Sequence, residues 1–189
     1  RYKDNTFVSG YDLLNEPVGA PSPQVLWDLY NRLYQAVRKI EKNHIVMMEG
    51  IWDWDTLPIP SAMSWQNVVY QLHYYNFDNQ NSLEAQKTYL DQKIAENRIK
   101  QQEYNVPLMI GEFSCFSLKP AWDYYLDNFL KEKYSWAMWS YKVHGSPSDW
   151  GLFNNSGYNI DLPKLRTDLY ETIVAKYSYY ATDDYHSPN

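Results

Sequence analysis

Three glutamates, Glu16, Glu49 and Glu112, each stand at the end of a short apolar run in the sequence. Continuous apolar runs predict strands of a parallel sheet that is buried on both faces. If such a sheet curls into a barrel, the carboxyl ends of its strands converge on the face that carries the active site. Carboxylates brought together there repel each other, so that one can keep its proton at neutral pH. Glycoside hydrolysis requires this, because one carboxylic acid protonates the leaving oxygen while a carboxylate attacks the anomeric carbon.

The residues that flank two of these glutamates make both stronger candidates for catalysis. Residues 15–17, Asn-Glu-Pro, end the first apolar run, and residues 111–113, Gly-Glu-Phe, end another about a hundred residues later. The two segments together are more specific than a single carboxylate at a strand end. A glutamate in that position often caps the helix that follows, and for Glu49 both interpretations stay open.

Short apolar runs alternate with longer amphipathic stretches along the chain. The runs predict strands at residues 7–14, 45–48, 68–73, 108–110 and 136–141. The stretches predict helices at about residues 22–40, 83–103, 121–131 and 163–176. Such alternation is typical of parallel strands joined by right-handed crossovers. The first helix is expected to start with Ser22 as its cap and to bury Val25, Leu26, Leu29, Leu33, Val37 and Ile40.

The length limits how much of a barrel the chain can form. A closed (β/α)8 barrel of the TIM type takes about 250 residues. The chain has 189 residues and about five predicted strands. We therefore expect an α/β fold, a partial or truncated TIM-type (β/α)8 barrel, in a single catalytic domain over residues 1–189.

The composition argues against several classes of partner and site. A net charge of −6 disfavours nucleic acid or an anionic membrane as the main partner, because both bind positive surfaces. No apolar run approaches the roughly 20 residues that span a bilayer. The single cysteine, Cys115, excludes an intrachain disulfide and a cysteine metal site. The four histidines are scattered, so that we expect no metal site.

Aromatic side chains are abundant, with 8 tryptophans and 19 tyrosines. Their flat faces fill protein cores, and they also stack on sugar rings. Trp52 and Trp54 lie on the loop after the second predicted strand. There they either stack on sugars or pack beneath the loop, and the sequence leaves both possibilities open.

The order of four segments resembles glycoside hydrolase family 5, the family of cellulase-like endoglucanases. The segments are residues 14–17 (Leu-Asn-Glu-Pro), 73–75 (His-Tyr-Tyr), 110–113 (Ile-Gly-Glu-Phe) and 139–142 (Trp-Ser-Tyr-Lys). They resemble strands four, six, seven and eight of that family's barrel, and residues 48–50 (Met-Glu-Gly) resemble strand five. The resemblance covers nearly the whole chain up to residue 180 and implies the C-terminal part of the barrel, about strands four to eight.

The resemblance implies a role for each residue of these segments that faces the cleft. Glu16 would be the general acid/base and Glu112 the nucleophile. Asn15 would donate a hydrogen bond to the sugar 2-hydroxyl, and Tyr75 would hold Glu112 and keep it ionised.

The remaining implied site residues are a histidine and three tryptophans. His73 would line the site, although a histidine on a strand can also be a hydrogen-bonded core residue. Trp139 would form the platform under the sugar at the cleavage point, the alternative being plain barrel packing. Trp52 and Trp54 would stack on neighbouring sugars.

The resemblance implies a retaining glycoside hydrolase that cleaves β-1,4-linked glucan, a cellulose-type endoglucanase acting by double displacement with two carboxylates and without a cofactor. β-Mannan, xyloglucan and mixed-linkage glucan are alternative substrates. An alternative of another class is a non-catalytic carbohydrate-binding remnant or an inactive fragment. Family resemblance also implies a secreted or extracellular protein, although no signal peptide is visible at residues 1–5.

The family pattern also uses an Arg and a His from strands that precede the Asn-Glu pair. Only fourteen residues precede Asn15 here, and we do not transfer the role of that arginine to Arg1. The first predicted strand would therefore have an open edge, which proteins usually cover or pair. We expect a homodimer in which a second copy covers this edge.

Overall fold

The computed structural model describes residues 2–143, 153–154 and 167–180. The chain separates into two compact units, residues 1–137 and residues 138–189, which are described in turn. The expectation of a single domain over residues 1–189 stays a prediction.

The first unit contains a sheet of five strands that all run parallel and lie side by side in chain order. The strands are β1 (Gly10–Asp12), β2 (Ile45–Glu49), β3 (Val68–Tyr74), β4 (Leu108–Phe113) and β5 (Ser135–Trp136). The helices of the unit are α1 (Pro23–Arg38), α2 (Leu83–Tyr104) and α3 (Lys119–Glu132). Short 3₁₀ turns lie at Trp54–Thr56, Pro60–Met63 and Phe77–Asn79. This is a partial TIM-type (β/α)8 barrel, which confirms the predicted fold class.

The sheet forms where the sequence has its continuous apolar runs. Every residue of β3 except one is buried, as expected for a strand covered on both faces. Ser82 caps the start of α2, and its hydroxyl accepts the N–H of Ala85. Asn105, which follows the last residue of α2, has a left-handed conformation. The boundaries of β3 and α2 agree with the predicted ones.

Helix α1 buries a different face from the predicted one. Its buried residues are Leu26, Tyr30 and Tyr34. The predicted core residues Val25, Leu29 and Ile40 are exposed, so that this part of the prediction was wrong. The reason is that the two tyrosine rings bury more area, and their hydroxyls reach backbone carbonyls of Glu49 and Gln66. Ser22 occupies the predicted N-cap position directly before Pro23, but its side chain makes no capping hydrogen bond.

The ends of the sheet are shorter than predicted. β1 covers three residues of the predicted 7–14, and β5, Ser135–Trp136, overlaps the run predicted at 136–141 only at Trp136. The N–H of Ala137 still donates to the carbonyl of Ile110 at 2.9 Å, after which the chain leaves the sheet. The core beside β4 is aromatic: Phe113 contacts Trp122, Tyr125, Phe129 and Trp136.

The second unit contains two short parallel strands, β6 (Lys142–Val143) and β7 (Phe153–Asn154), and helix α4 (Tyr170–Tyr180). The helix predicted at 163–176 overlaps α4, and its residues 163–166 lie outside the described residues. Among the helices of the described residues, none has the length and apolar character needed to cross a membrane.

Candidate active site

The candidate site lies at the carboxyl ends of strands β1 to β4. Glu49 is the last residue of β2, and Glu112 is the fifth residue of β4. A register shift in β3 between Leu72 and His73 places His73 opposite Glu112. Glu16 lies on the loop that follows β1. The parallel sheet thus brings these side chains to one edge from four different strands.

The imidazole of His73 is the centre of the cluster. Its Nδ1 lies 2.8 Å from Oε1 of Glu16, 3.3 Å from Oε1 of Glu49 and 3.5 Å from Oε2 of Glu112. The His73 side chain is 1% exposed, so that water does not compete for these contacts. A single N–H can serve only one of the three oxygens well, and the shortest distance favours Glu16.

The carboxylate of Glu112 has a second partner in Tyr75. The Tyr75 hydroxyl donates a hydrogen bond to Oε2 of Glu112 at 2.7 Å. Burial, followed by the hydrogen bond to Glu112, raises the pKa of Tyr75 well above its usual value. Tyr75 therefore stays protonated and remains a donor throughout the range in which proteins are folded.

The carboxylate of Glu16 is more accessible than that of Glu112, because 32% of the Glu16 side chain is exposed, against 14% for Glu112. One oxygen of Glu16 and one of Glu112 lie within 4.8 Å of each other, with His73 beside both. Glu16 has a left-handed backbone with φ of 42°, which is uncommon for a residue other than glycine. Its N–H donates to Oε2 of Glu49 at 2.6 Å.

Glu49 is fully buried. The sequence placed it at the end of a strand but did not decide whether it belongs to the site. Burial raises its pKa to about 7, against the opposing effects of the Glu16 N–H and of His73. It accepts its hydrogen bond from the loop after the neighbouring strand and not from a following helix. Of the two interpretations left open for Glu49, the structure thus favours membership of the site. The sequence signal for this placement is a glutamate that directly follows an apolar run and precedes Gly50.

Gly111 makes room for this arrangement. A Cβ at this position would overlap the side-chain oxygen of Gln71 and lie 3.2 Å from Nε2 of His73. Gln71 in turn donates from Nε2 to Oδ2 of Asp12 at 2.6 Å. Desolvation raises the pKa of Asp12, against the opposing effect of its hydrogen bond from Gln71. Any larger residue before Glu112 would therefore have to displace the Gln71 side chain.

Of the two loop tryptophans, the structure leaves only Trp52 available to a ligand. Its side chain is 40% exposed, and its ring meets the rings of His73 and Tyr75 edge-on at 6.4 and 6.2 Å between centroids. Trp54 is fully buried, and its indole N–H donates to Oδ1 of Asn97 on α2 at 2.9 Å. The prediction that Trp54 binds substrate was wrong, because the 3₁₀ turn that it starts directs the indole into the core.

Two further predicted residues have different placements. Asn15 is exposed beside Glu16, and its contact with a sugar 2-hydroxyl stays a prediction. Trp139 is exposed and belongs to the second unit, so that its role as a platform also stays a prediction. Ligand atoms of Glu16, His73 and Glu112 lie close enough together to surround a cation as well, although hydrolysis by two carboxylates needs none.

The sequence model described as Cellulase (glycosyl hydrolase family 5) matches residues 1–145. The chain therefore belongs to glycoside hydrolase family 5, as the order of its motifs predicted. A curated relative is a β-xylosidase of Phanerodontia chrysosporium, 25% identical over 170 residues, which cover 76% of this chain and 35% of that protein.

Solved structures of similar fold come from several enzymes. Thermotoga maritima Cel5A in complex with mannotriose has a TM-score of 0.64 and 21% identity, covering 93% of this chain and 61% of its own. XEG5A, a xyloglucan-specific endo-β-1,4-glucanase from a metagenomic library, has a TM-score of 0.61 and 17% identity, and the match covers 95% of this chain and 60% of XEG5A. Endo-glycoceramidase II from Rhodococcus sp. has a TM-score of 0.60 and 20% identity, and the match covers 80% of this chain and 38% of that enzyme. The chain thus spans between 35% and 61% of the length of these relatives.

Proposed function

We propose that the protein is a retaining glycoside hydrolase that cleaves β-1,4-linked glucan internally, with Glu16 as general acid/base and Glu112 as nucleophile. The observation that carries the proposal is the pair of carboxylates whose nearest oxygens lie within 4.8 Å of each other. Retaining enzymes hold their two carboxyl groups about 5 Å apart, whereas inverting enzymes leave room for a water at roughly 6.5–9.5 Å.

In the first step of the proposed reaction, a carboxylate oxygen of Glu112 attacks the anomeric carbon while Glu16 protonates the departing glycosidic oxygen. The Tyr75 hydroxyl, 2.7 Å from Oε2 of Glu112, orients the nucleophile. In the second step, Glu16 takes a proton from a water that attacks the same carbon and releases Glu112. The greater exposure of Glu16 supports this division, because the acid/base must reach both the leaving group and the water.

Three further residues are proposed to bind the sugar. Asn15 donates to the 2-hydroxyl, a hydrogen bond that strengthens as the transition state forms. Trp52 presents an exposed indole beside His73 and Tyr75, where it covers the apolar face of a pyranose. Trp139 serves as the platform under the sugar at the cleavage point.

The choice of β-1,4-glucan is the finer part of the proposal. Among the similar structures, Cel5A is in complex with mannotriose or cellobiose and XEG5A with cellotriose. These names support a β-linked pyranose chain as substrate, with β-mannan, xyloglucan and mixed-linkage glucan as alternatives. The β-xylosidase relative adds xylosides to the substrates to be tried.

Reducing-sugar release from soluble β-1,4-glucan tests this function. The parent is expected to release sugar, and Glu112→Gln is expected to release none beyond background. Glu84→Gln is the control, because the Glu84 side chain is 84% exposed and pairs with Lys87 on α2. No release by the parent from glucan, mannan, xyloglucan or xylosides would overturn the proposal. Binding to insoluble glucan without release would then favour the carbohydrate-binding alternative.

We also propose that two copies of the chain associate along β1. Among the described residues, β1 is the first strand of the sheet order and pairs with β2 alone. Helix α1, which follows β1 in the chain, exposes Val25 and Leu29. An unpaired strand edge is a site at which a second copy can add its own edge, and exposed apolar side chains can extend such an interface. Sedimentation should show a dimer at micromolar concentration that Leu29→Glu weakens, and a parent that is a monomer would remove this proposal.

The proposed site of action is outside the cell, because polymeric glucan does not cross membranes. Detection of the native protein in the culture medium of its source would support secretion. Detection only inside the cells would contradict it.

A further inference from the structure

The carboxylate of Glu49 lies in a position that the two-carboxylate mechanism does not use. It is fully buried beside Glu16, the proposed general acid/base. Oε2 accepts the N–H of Glu16 at 2.6 Å, and Oε1 lies 3.3 Å from Nδ1 of His73. A buried carboxylate is costly unless hydrogen bonds satisfy it, and Oε1 accepts no hydrogen bond from the described residues. A costly group that directly contacts a catalytic residue calls for a functional explanation.

Glu49 itself is held rigidly. The Tyr30 hydroxyl of α1 accepts the N–H of Glu49 at 3.1 Å and donates to its carbonyl at 3.0 Å. The next residue, Gly50, donates its N–H to the carbonyl of Gln71 in β3 at 3.0 Å. The carboxylate therefore projects from a backbone that is fixed by a helix on one side and by a strand on the other.

Glu16, by contrast, lies on a loop in a conformation that needs support. Its φ of 42° is left-handed, and the N–H of Val18 closes a tight turn on the carbonyl of Glu16 at 2.6 Å. Non-glycine residues adopt this region only where the surroundings hold them there. The hydrogen bond from the Glu16 N–H to Glu49 provides that support and thereby fixes the direction of the Glu16 side chain.

We propose that Glu49 is a positioning residue that fixes the general acid/base Glu16 through its backbone N–H. This inference rests on the proposed function, because it assigns Glu49 a task in the same reaction. Glu49 does not touch the substrate. It acts through Glu16, whose carboxyl must protonate the leaving oxygen from a fixed direction.

The experiment compares substitutions of Glu49 on two aryl β-cellobiosides that differ only in the leaving group. Phenol is a poor leaving group that needs the acid, whereas 2,4-dinitrophenol departs without it. Glu49→Leu removes the acceptor for the Glu16 N–H, and Glu49→Gln keeps an oxygen there. Glu41 provides matched controls, because it is also a buried glutamate that accepts backbone N–H groups, and it precedes the opposite end of β2.

For Glu49→Leu, kcat/KM for the phenyl substrate should fall roughly 100-fold, and that for the dinitrophenyl substrate less than about 3-fold. Glu49→Gln should stay within roughly 10-fold of the parent on both. Glu41→Gln and Glu41→Leu should change the two substrates equally. Equal loss on both substrates with Glu49→Leu, or no loss on either, would overturn the proposal. Should Glu49→Leu not fold, Glu49→Ala takes its place.

A second readout does not depend on activity. Hydrogen exchange of the Glu16 amide, followed by NMR, should be slow in the parent and in Glu49→Gln and about 10-fold faster in Glu49→Leu. Unchanged exchange in Glu49→Leu would refute the positioning role. If the parent hydrolyses neither cellobioside, the proposed function fails on these substrates. The exchange measurement then decides by itself whether Glu49 holds Glu16.

Discussion

The buried carboxyl of Glu49 should make the stability of the fold depend on pH in a direction that is unusual for a glutamate. Its pKa is about 7 in the folded protein, chiefly because of burial, against 4.5 for an unperturbed glutamate. The folded state therefore holds the proton more tightly than the unfolded chain does. Stability from this group is fully present below pH 4.5 and is lost as the pH rises toward 7. At about 1.4 kcal/mol per pH unit, the total loss is ~3 kcal/mol.

Glu49→Gln removes this titration while preserving the shape of the side chain. The free energy of unfolding of the variant, relative to the parent, should therefore rise by about 3 kcal/mol between pH 4.5 and pH 8. Urea denaturation at intervals of one pH unit measures the difference. Glu41→Gln is the contrasting variant, because the Asn43 N–H holds the pKa of Glu41 down to about 2. Its difference from the parent should be a loss of stability that disappears as the pH falls from 4.5 toward 2, where the parent's Glu41 becomes protonated. Between pH 5 and 8 the loss should become smaller, because Glu41 helps to raise the pKa of His44, which titrates there.

A difference between Glu49→Gln and the parent that does not change with pH would refute this reasoning. It would mean that Glu49 is as well solvated or paired in the fold as in the unfolded chain. A rise as predicted would show that the fold gives up stability to keep an ionisable group at this position. Such a loss is typical of functional sites.

Two further predictions concern side chains around the cluster. Tyr75→Phe should lower kcat/KM roughly 10- to 100-fold with little change in the thermal midpoint, because the hydrogen bond to Glu112 is lost while the aromatic ring is kept. An unchanged kcat/KM would contradict the proposed role of Tyr75. Trp54→Ala should lower the free energy of unfolding by about 3–5 kcal/mol, whereas Trp52→Ala should lower it by less than about 1 kcal/mol and weaken cello-oligosaccharide binding in calorimetry. The reverse pattern would mean that the two tryptophans have been assigned to the wrong environments.

The sheet and the placement of Glu16 and Glu112 near each other were predictable because their signals are local. A buried parallel strand is a continuous apolar run, and a polar residue at its end stands out against that background. Glu16 and Glu112 both stand at such ends, and parallel topology alone brings strand ends together. The same reasoning placed Glu49 at a strand end but predicted no role for it, because its hydrogen-bond partner is the backbone N–H of Glu16 on a neighbouring loop.

The incorrect predictions concern the directions of side chains. Trp54 follows Trp52 by two residues in the same loop, and the sequence does not show that a 3₁₀ turn directs one indole inward and leaves the other exposed. The face of α1 was misplaced because Tyr30 and Tyr34 were not counted as core residues. Whether a tyrosine can be buried depends on a partner for its hydroxyl, and here the partners come from distant residues.

The most direct test of the central claim is to trap the covalent intermediate. Incubation with a 2-deoxy-2-fluoro-β-cellobioside that carries a good leaving group, followed by mass spectrometry, should add one fluorocellobiosyl group to the peptide that contains Glu112. Glu112→Gln should not be labelled. Hydrolysis of glucan without any adduct, or with the adduct on Glu16 or Glu49, would contradict the assignment of Glu112 as the nucleophile of a retaining enzyme.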